Sequence, residues 1–306
     1  MPAKQRKRDP PASWASWSTY ARSFGVDRTN IHAQTTFNSG SGLTIKEFLL
    51  LRTLLHEAKA SRIVPELKVQ SYMQQVCECL AESKTFQLYL KSIDTKALPG
   101  APDLGIFGIP YSQQYQVDDM LKNVKHTHHP INEEIVNSSL ISFLTAICLE
   151  SQKVNALWTA HRAEQVATFK STKLVCQIDG HLRSTHNKHI ILEAKANERD
   201  IHEPYVSYQE AGEIVTAIVE DPPKGLGKER IILVSQDGRN FYISNALFPD
   251  GWKDYILGNK KKAKKEDFLE VFRYGPWDTR VRKEVDHFAK VLLALAIRAT
   301  AEEEER

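Results

Sequence analysis

The chain has 306 residues, 42% of them hydrophobic, enough to build one large folded body or two smaller ones. Its formal net charge of +3 does not by itself announce a nucleic-acid binder. No run of 18 or more apolar residues and no signal-peptide pattern after Met1 is present, so a soluble intracellular protein without a membrane partner is expected.

Residues 1–42 are rich in Ser, Thr, Asn, Gly and basic residues, and are expected to be flexible apart from a short aromatic helix carrying Trp14, Trp17, Tyr20 and Phe24. Lys4, Arg6, Lys7 and Arg8 form a basic tip, which reads either as a solvated tail or as a nuclear-import signal. Thr44-Ile-Lys-Glu47 is a capping box that predicts a helix through about Ala60, with Phe48, Leu51, Leu54 and Leu55 on its apolar side. A second helix after Pro65 carries Val69, Met73, Val76 and Leu80, and continues, with a break, through Phe86 and Leu90. Residues 43–130 thus read as an N-terminal helical region ending in a long Pro/Gly-punctuated loop, 94–131. His126, His128 and His129 in that loop fit no common zinc spacing. The four cysteines, Cys77, Cys79, Cys148 and Cys176, contain no CxxC pair and read as small buried hydrophobes.

Asn132 caps an apolar helix that places Val136, Leu140, Phe143, Leu144 and Ile147 toward the core. Residues 151–172 read as a further helix. The stretch 173–195 then changes period. Leu174, Cys176 and Ile178 alternate with Val175, Gln177 and Asp179 along one strand. On the next, Ile190, Leu192 and Ala194 are expected to face the core while Ile191, Glu193 and Lys195 share the opposite face. Two carboxylates drawn together in this way repel unless an ammonium or a divalent cation offsets them, and Lys195 with Mg²⁺ could do so. The bland alternative makes Asp179-Gly180 a turn and Lys195 a solvated strand end. Glu-X-Lys occurs four times, at Glu57, Glu66, Glu82 and Glu193. The first three fall in segments with helical spacing, where residues two apart do not face each other, so only the fourth is informative.

A polar loop with Arg199, a candidate phosphate contact, leads to a helix in which Gln209, Glu213 and Thr216 share a side away from Tyr208, Ala211, Val215 and Ile218. Residues 230–244 read as a hairpin closed on Asp237-Gly238. Lys260, Lys261, Lys262, Lys264 and Lys265 form a second basic cluster, a solvated run or a phosphate-backbone contact. A helix from about Asp278, with Val285, Phe288, Leu292 and Leu295 on one face, closes the core before an acidic tail at 301–306.

Asp179, a hairpin-like interval and Glu193-Ala-Lys195, followed by the helix with Gln209-Glu-Ala-Gly-Glu-Ile-Val and by Tyr274-Gly-Pro-Trp277, resemble the PD-(D/E)XK, or restriction-endonuclease-like, nuclease superfamily, and within it a fungal group. The likeness covers about 131–298, and the Pro that often precedes the Asp is replaced by Ile178. It implies a mixed α/β (α+β) domain over 131–300 with an αβββαβ core, a central mixed sheet flanked by helices. It also implies a metal-dependent nuclease, acting on DNA rather than RNA. Mg²⁺, with Mn²⁺ as the substitute, would be held by Asp179, Glu193, the Ala194 carbonyl and Glu133, for which Glu150 and Glu164 are rivals. Lys195 and Gln209 would act on water or substrate. A homodimer would suit two-strand cutting, and a catalytically inactive protein that binds nucleic acid or a protein partner is the alternative.

Overall fold

The apolar residues of one strand, β6 (Lys188–Lys195), set the middle of the molecule. Ile190 and Leu192 enter one hydrophobic cluster and Ile191 another, so β6 is covered on both faces. The face carrying Ile191 and Glu193, expected to lie away from the core, is therefore buried as well. The computed structural model describes residues 9–96, 98, 100, 103–127, 132–183, 188–222, 230–259 and 266–304.

Before β6 the chain forms α1 (Trp14–Ser23), α2 (Ile45–Leu50), β1 (Thr53–Ala58), α3 (Ile63–Glu66), α4 (Gln70–Glu82), α5 (Lys84–Thr95), α6 (Gly108–Thr127) and α7 (Glu133–Leu149). Next come β2 (Leu157–Thr159), β3 (Ala163–Thr168), β4 (Lys173–Ile178) and β5 (Gly180–Arg183). After β6 follow α8 (Arg199–His202), α9 (Tyr205–Glu220), β7 (Arg230–Asp237), β8 (Asn240–Leu247), α10 (Asp250–Ile256), β9 (Leu269–Asp278) and α11 (Arg282–Glu304). Among the described residues, one mixed sheet runs β1-β9-β8-β7-β6-β5-β2, parallel at β6/β7 and β1/β9 and antiparallel elsewhere. β3 and β4 form a separate antiparallel ribbon. Leu80, Phe86, Leu144 and Leu292, from α4, α5, α7 and α11, cover one face of the large sheet. Trp17, Phe48, Ile214 and Trp252, from α1, α2, α9 and α10, pack with the ribbon on the other. Among the described residues no helix is long and apolar enough to cross a membrane.

Three expected elements are different, each for a local reason. The capped helix at Thr44 does not reach Ala60. It stops at Leu50, where Tyr255 Oη donates to the Leu50 carbonyl at 2.8 Å and Trp252 Nε1 donates to the Leu51 carbonyl at 2.9 Å. Arg52 then takes a positive φ of 50°, and the chain leaves as β1, pairing Thr53 with Leu269. Glu57 therefore lies on a strand rather than on a helix.

The expected loop over 94–131 contains the 20-residue α6. Its glycine and proline, Gly108 and Pro110, sit in the first turn, where proline is tolerated. Its glutamines are not loop residues but partners of α7: Ser142 donates to Gln113, and Ser139 to Gln114 at 2.9 Å. Residues 151–172, expected to be helical, hold β2 and β3 because pairing with β5 and β4 overrides the helix-forming composition. The segment before α2 is also better fixed than expected: Trp17 Nε1 donates to the Leu49 carbonyl at 3.0 Å, and Ile31 is fully buried. The hairpin on Asp237-Gly238 and the closing helix stand as read.

Candidate functional site

Asp179 lies where the chain passes from the ribbon into the large sheet. Its N–H donates to the Leu192 carbonyl at 3.1 Å, and its Oδ2 accepts from the Ala194 N–H at 3.0 Å. This reciprocal pair fixes Asp179 beside Glu193. Strand alternation puts Glu193 and Lys195 on one face, and the Lys195 ammonium donates to Glu193 Oε1. The same ammonium reaches Glu133 Oε1, in the first turn of α7, at 3.0 Å. From the opposite side Gln209 Nε2 donates to Glu193 Oε1 at 2.6 Å and to Glu213 Oε1 at 2.8 Å. Asp179, Glu193, Lys195, Gln209 and Glu133 are thus brought together from β6, α7, α9 and the β4–β5 junction. Ala194 is buried and pairs with Gln236 on β7.

Arg162, Glu134 and Glu213 complete the cluster and were not singled out by sequence. Arg162 Nε lies 3.1 Å from Asp179 Oδ1, and its Nη2 lies 2.5 Å from Glu134. Its segment reads as a helix in sequence, which hid the contact. Glu213 had a usable signal: it stands four residues after Gln209, on the same side of α9. The rivals to Glu133 drop out. Glu150, at the far end of α7, accepts from Thr85 Oγ1 at 3.0 Å, and Glu164 is exposed on β3 opposite Gln177.

Arg199 is a correction. It is not poised toward a phosphate but buried, with Nη2 2.6 Å from Glu210 Oε1, Nε 2.6 Å from Asp237 Oδ2, and its guanidinium 4.5 Å above the Tyr242 ring. Glu210 and Asp237 offset the charge it buries. Lys260, Lys261, Lys262, Lys264 and Lys265 lie outside the described residues, as do the basic tip of Lys4, Arg6, Lys7 and Arg8 and the imidazoles of His126, His128 and His129.

The electrostatics follow from five carboxylates facing two cations. Burial pushes the Glu193 carboxyl up to about 8, with Lys195 opposing and Asp179 adding to the rise. Burial also raises Asp179, and it holds Glu213 well above its ordinary value with help from Glu193. Burial alone would lower the Lys195 ammonium, but Glu193, Glu213 and Glu133 outweigh it and keep the charge in place. Among the described residues, Glu193 Oε2 and Glu213 Oε2 are buried without a hydrogen-bond partner.

Among the described residues no three His, Cys, Asp or Glu side chains stand as a ready-made metal cage. The acids converge on the ammonium instead. The donor set nevertheless suits a hard oxygen-seeking ion: the candidate ligands are all oxygens, negative charge is in excess, and among the described residues one Glu193 oxygen has no partner. The chain matches no protein-family model, and no curated protein matches it either.

Proposed function

We propose that the chain is a Mg²⁺-dependent nuclease of the PD-(D/E)XK type that hydrolyses phosphodiester bonds, with DNA as its substrate. The carrying observation is that the Lys195 ammonium bridges Glu193 and Glu133 while Asp179 is pinned to the same stretch of β6 and Gln209 holds Glu193 from α9. The αβββαβ reading is supported to this extent: the chain runs from α7 through five strands, β2 to β6, of which β2, β5 and β6 are neighbours in the large sheet, then through α8 and α9 to β7 beside β6.

Asp179, Glu193 through Oε2, the Ala194 carbonyl and Glu133 are the residues that would hold Mg²⁺. When bound, the ion supplies Lewis acidity at a phosphoryl oxygen and makes water more acidic. The protein supplies orientation and charge. Gln209 holds Glu193 by its Oε1, which leaves Oε2 without a hydrogen-bond partner among the described residues, while Arg162 and the Ala194 N–H fix Asp179. Lys195, held protonated, is placed to orient the attacking water and to stabilise negative charge on the phosphorus oxygens.

Incubating the purified chain with plasmid and single-stranded DNA tests this reading. Cleavage is expected with Mg²⁺ or Mn²⁺ and not with EDTA. Lys195→Ala is expected to lower the rate by about 10²-fold or more, with a thermal melt verifying that the variant is folded at the assay temperature. Absence of cleavage with either ion, or cleavage that survives Lys195→Ala, overturns it in favour of a non-catalytic binding protein.

A further inference from the structure

Away from the carboxylate cluster, the surface around α5 carries a charge pattern that the site does not use. Three adjoining hollows of about 630, 770 and 200 Å³ lie between α4, α5, α6 and the start of α11. Eight Lys or Arg side chains and three Asp line them, an excess of five positive charges. The entire chain carries only +3, so everything outside these hollows is net acidic. A basic surface on an otherwise acidic body concentrates a polyanion at that face.

Five of the eight cations there are also available. Arg280 is paired with Asp278 at 2.6 Å, Arg282 with Asp94 at 3.1 Å and Lys290 with Asp286 at 2.5 Å. By contrast, among the described residues Lys84, Lys91, Lys96, Lys122 and Lys283 are exposed and make no ion pair. Lys84 and Lys91 share one face of α5, about 10 Å apart along its axis, and line one hollow, while Lys96 stands at the C-cap and lines the smallest. Charges spread over two hollows in this way meet successive phosphates of a chain better than they meet a single small anion.

The smallest hollow adds a different chemistry. Tyr115 is 41% exposed on its wall, near Lys96 and Lys122, and Tyr89 and Tyr111 stand behind in an edge-on pair with centroids 6.0 Å apart. An exposed aromatic beside unpaired lysines is the pairing that holds single strands, the ring stacking on a base and the ammonium groups meeting phosphates. A hollow of about 200 Å³ is of a size to receive one unpaired base.

We propose that this α5–α6 cleft is a binding track for single-stranded nucleic acid. Its substrate class deepens the nuclease reading and rests on it; its geometry does not. Track and carboxylate cluster are joined through α6. Asp118, in the cleft wall, pairs with Arg239 at 2.5 Å, and the neighbouring Gly238 N–H donates to the Lys195 carbonyl at 2.9 Å. On the other side of the same helix, Val117 packs with Val136 and Ala194. One helix therefore separates the bound strand from Lys195.

The test is fluorescence anisotropy of a labelled oligothymidylate with the full chain in EDTA, so that cleavage plays no part. Lys96→Glu with Lys122→Glu is expected to weaken binding tenfold or more and to flatten the log–log salt slope by about 1.4, the share of two phosphates. Tyr115→Ala is expected to weaken it about fivefold or more with the slope unchanged. All three side chains are exposed, and thermal melts verify that the variants fold; Lys91→Glu with Lys283→Glu gives a second, independent charge reversal. Unchanged affinity in both reversals overturns the track. So does a preference for duplex, or polyglutamate competing as well as the oligonucleotide with Tyr115→Ala neutral. Loss of binding in the cleft variants without any Mg²⁺-dependent cleavage would sink the nuclease reading alone, whereas cleavage with unaltered binding in those variants would sink the track alone.

Discussion

At Gly180 a single added methyl group would close the passage from β4 to β5. A Cβ there would lie 2.4 Å from the Thr159 carbonyl oxygen, a backbone atom that cannot swing aside, and 3.2 Å from Leu192 Cδ1. The glycine thus allows β2 and β6 to close on β5 from both sides, and it directly follows the residue whose carboxylate is locked to Ala194. Gly180→Ala is expected to destabilise the fold by about 1–3 kcal/mol, the usual cost of overpacking, in urea denaturation. It is also expected to slow any metal-dependent cleavage, because Asp179 must shift with its neighbour. A variant as stable as the parent would show that β2 yields freely. In sequence Asp179-Gly180 looks like an ordinary turn; only the strand on its far side gives the glycine its purpose.

Among the elements, β9, α9, α8 and β7 are tied by a buried charge network that no sequence pattern announces. Glu210 accepts from Arg199 Nη2 at 2.6 Å and from Arg273 Nη2 at 2.9 Å, and Arg273 also donates to Ser207 at 2.8 Å. Burial would raise the Glu210 carboxyl, yet the two guanidinium groups bring it below the ordinary range. Arg273→Met removes one of them and leaves a buried charge short of compensation, so a loss of about 3–5 kcal/mol is expected in urea denaturation. Glu57→Gln, which changes only the exposed partner of Arg273, is expected to cost about 1 kcal/mol or less. Equal losses would place the strength of the network at its solvent-facing edge. The network also marks the limit of what sequence reveals. β4, β6, α9 and the β7–β8 hairpin were legible because their apolar periods are local. β1 was not, since Leu54 and Leu55 continue the spacing of α2 and only Arg52's left-handed turn and the distant Leu269 redirect them. Glu193, Lys195 and Gln209 could be picked out, but Arg162 and Arg199 depended on partners that are remote in the chain.

For the molecule as a whole, the candidate site sets how stability responds to pH. Folding keeps a proton on Glu193, whose carboxyl is pushed from 4.5 up to about 8 chiefly by burial, and burial also raises Asp179 and Glu213. The unfolded chain releases those protons near the ordinary carboxylate values. Raising the pH from about 4.5 to about 8 therefore favours unfolding, and the stability these groups contribute is lost across that window. Glu47, Asp278 and Glu210 are lowered instead, and their contribution fades only on the acid side. The metal-free protein should thus melt highest in mildly acidic buffer and progressively lower toward pH 8. On the proposed reading Mg²⁺ binds the deprotonated carboxylates, so its binding releases protons and grows tighter as the pH rises. Millimolar Mg²⁺ is expected to raise the melting temperature more near pH 8 than near pH 6, because a ligand of the folded state stabilises it more the tighter it binds. Glu193→Gln holds no titratable proton at that position. It should flatten the alkaline decline in EDTA and remove most of the Mg²⁺ increment. Differential scanning fluorimetry of both proteins, with and without the ion, reads all of these quantities. An increment that is independent of pH, or one that survives Glu193→Gln, would mean that the ion acts elsewhere on the molecule.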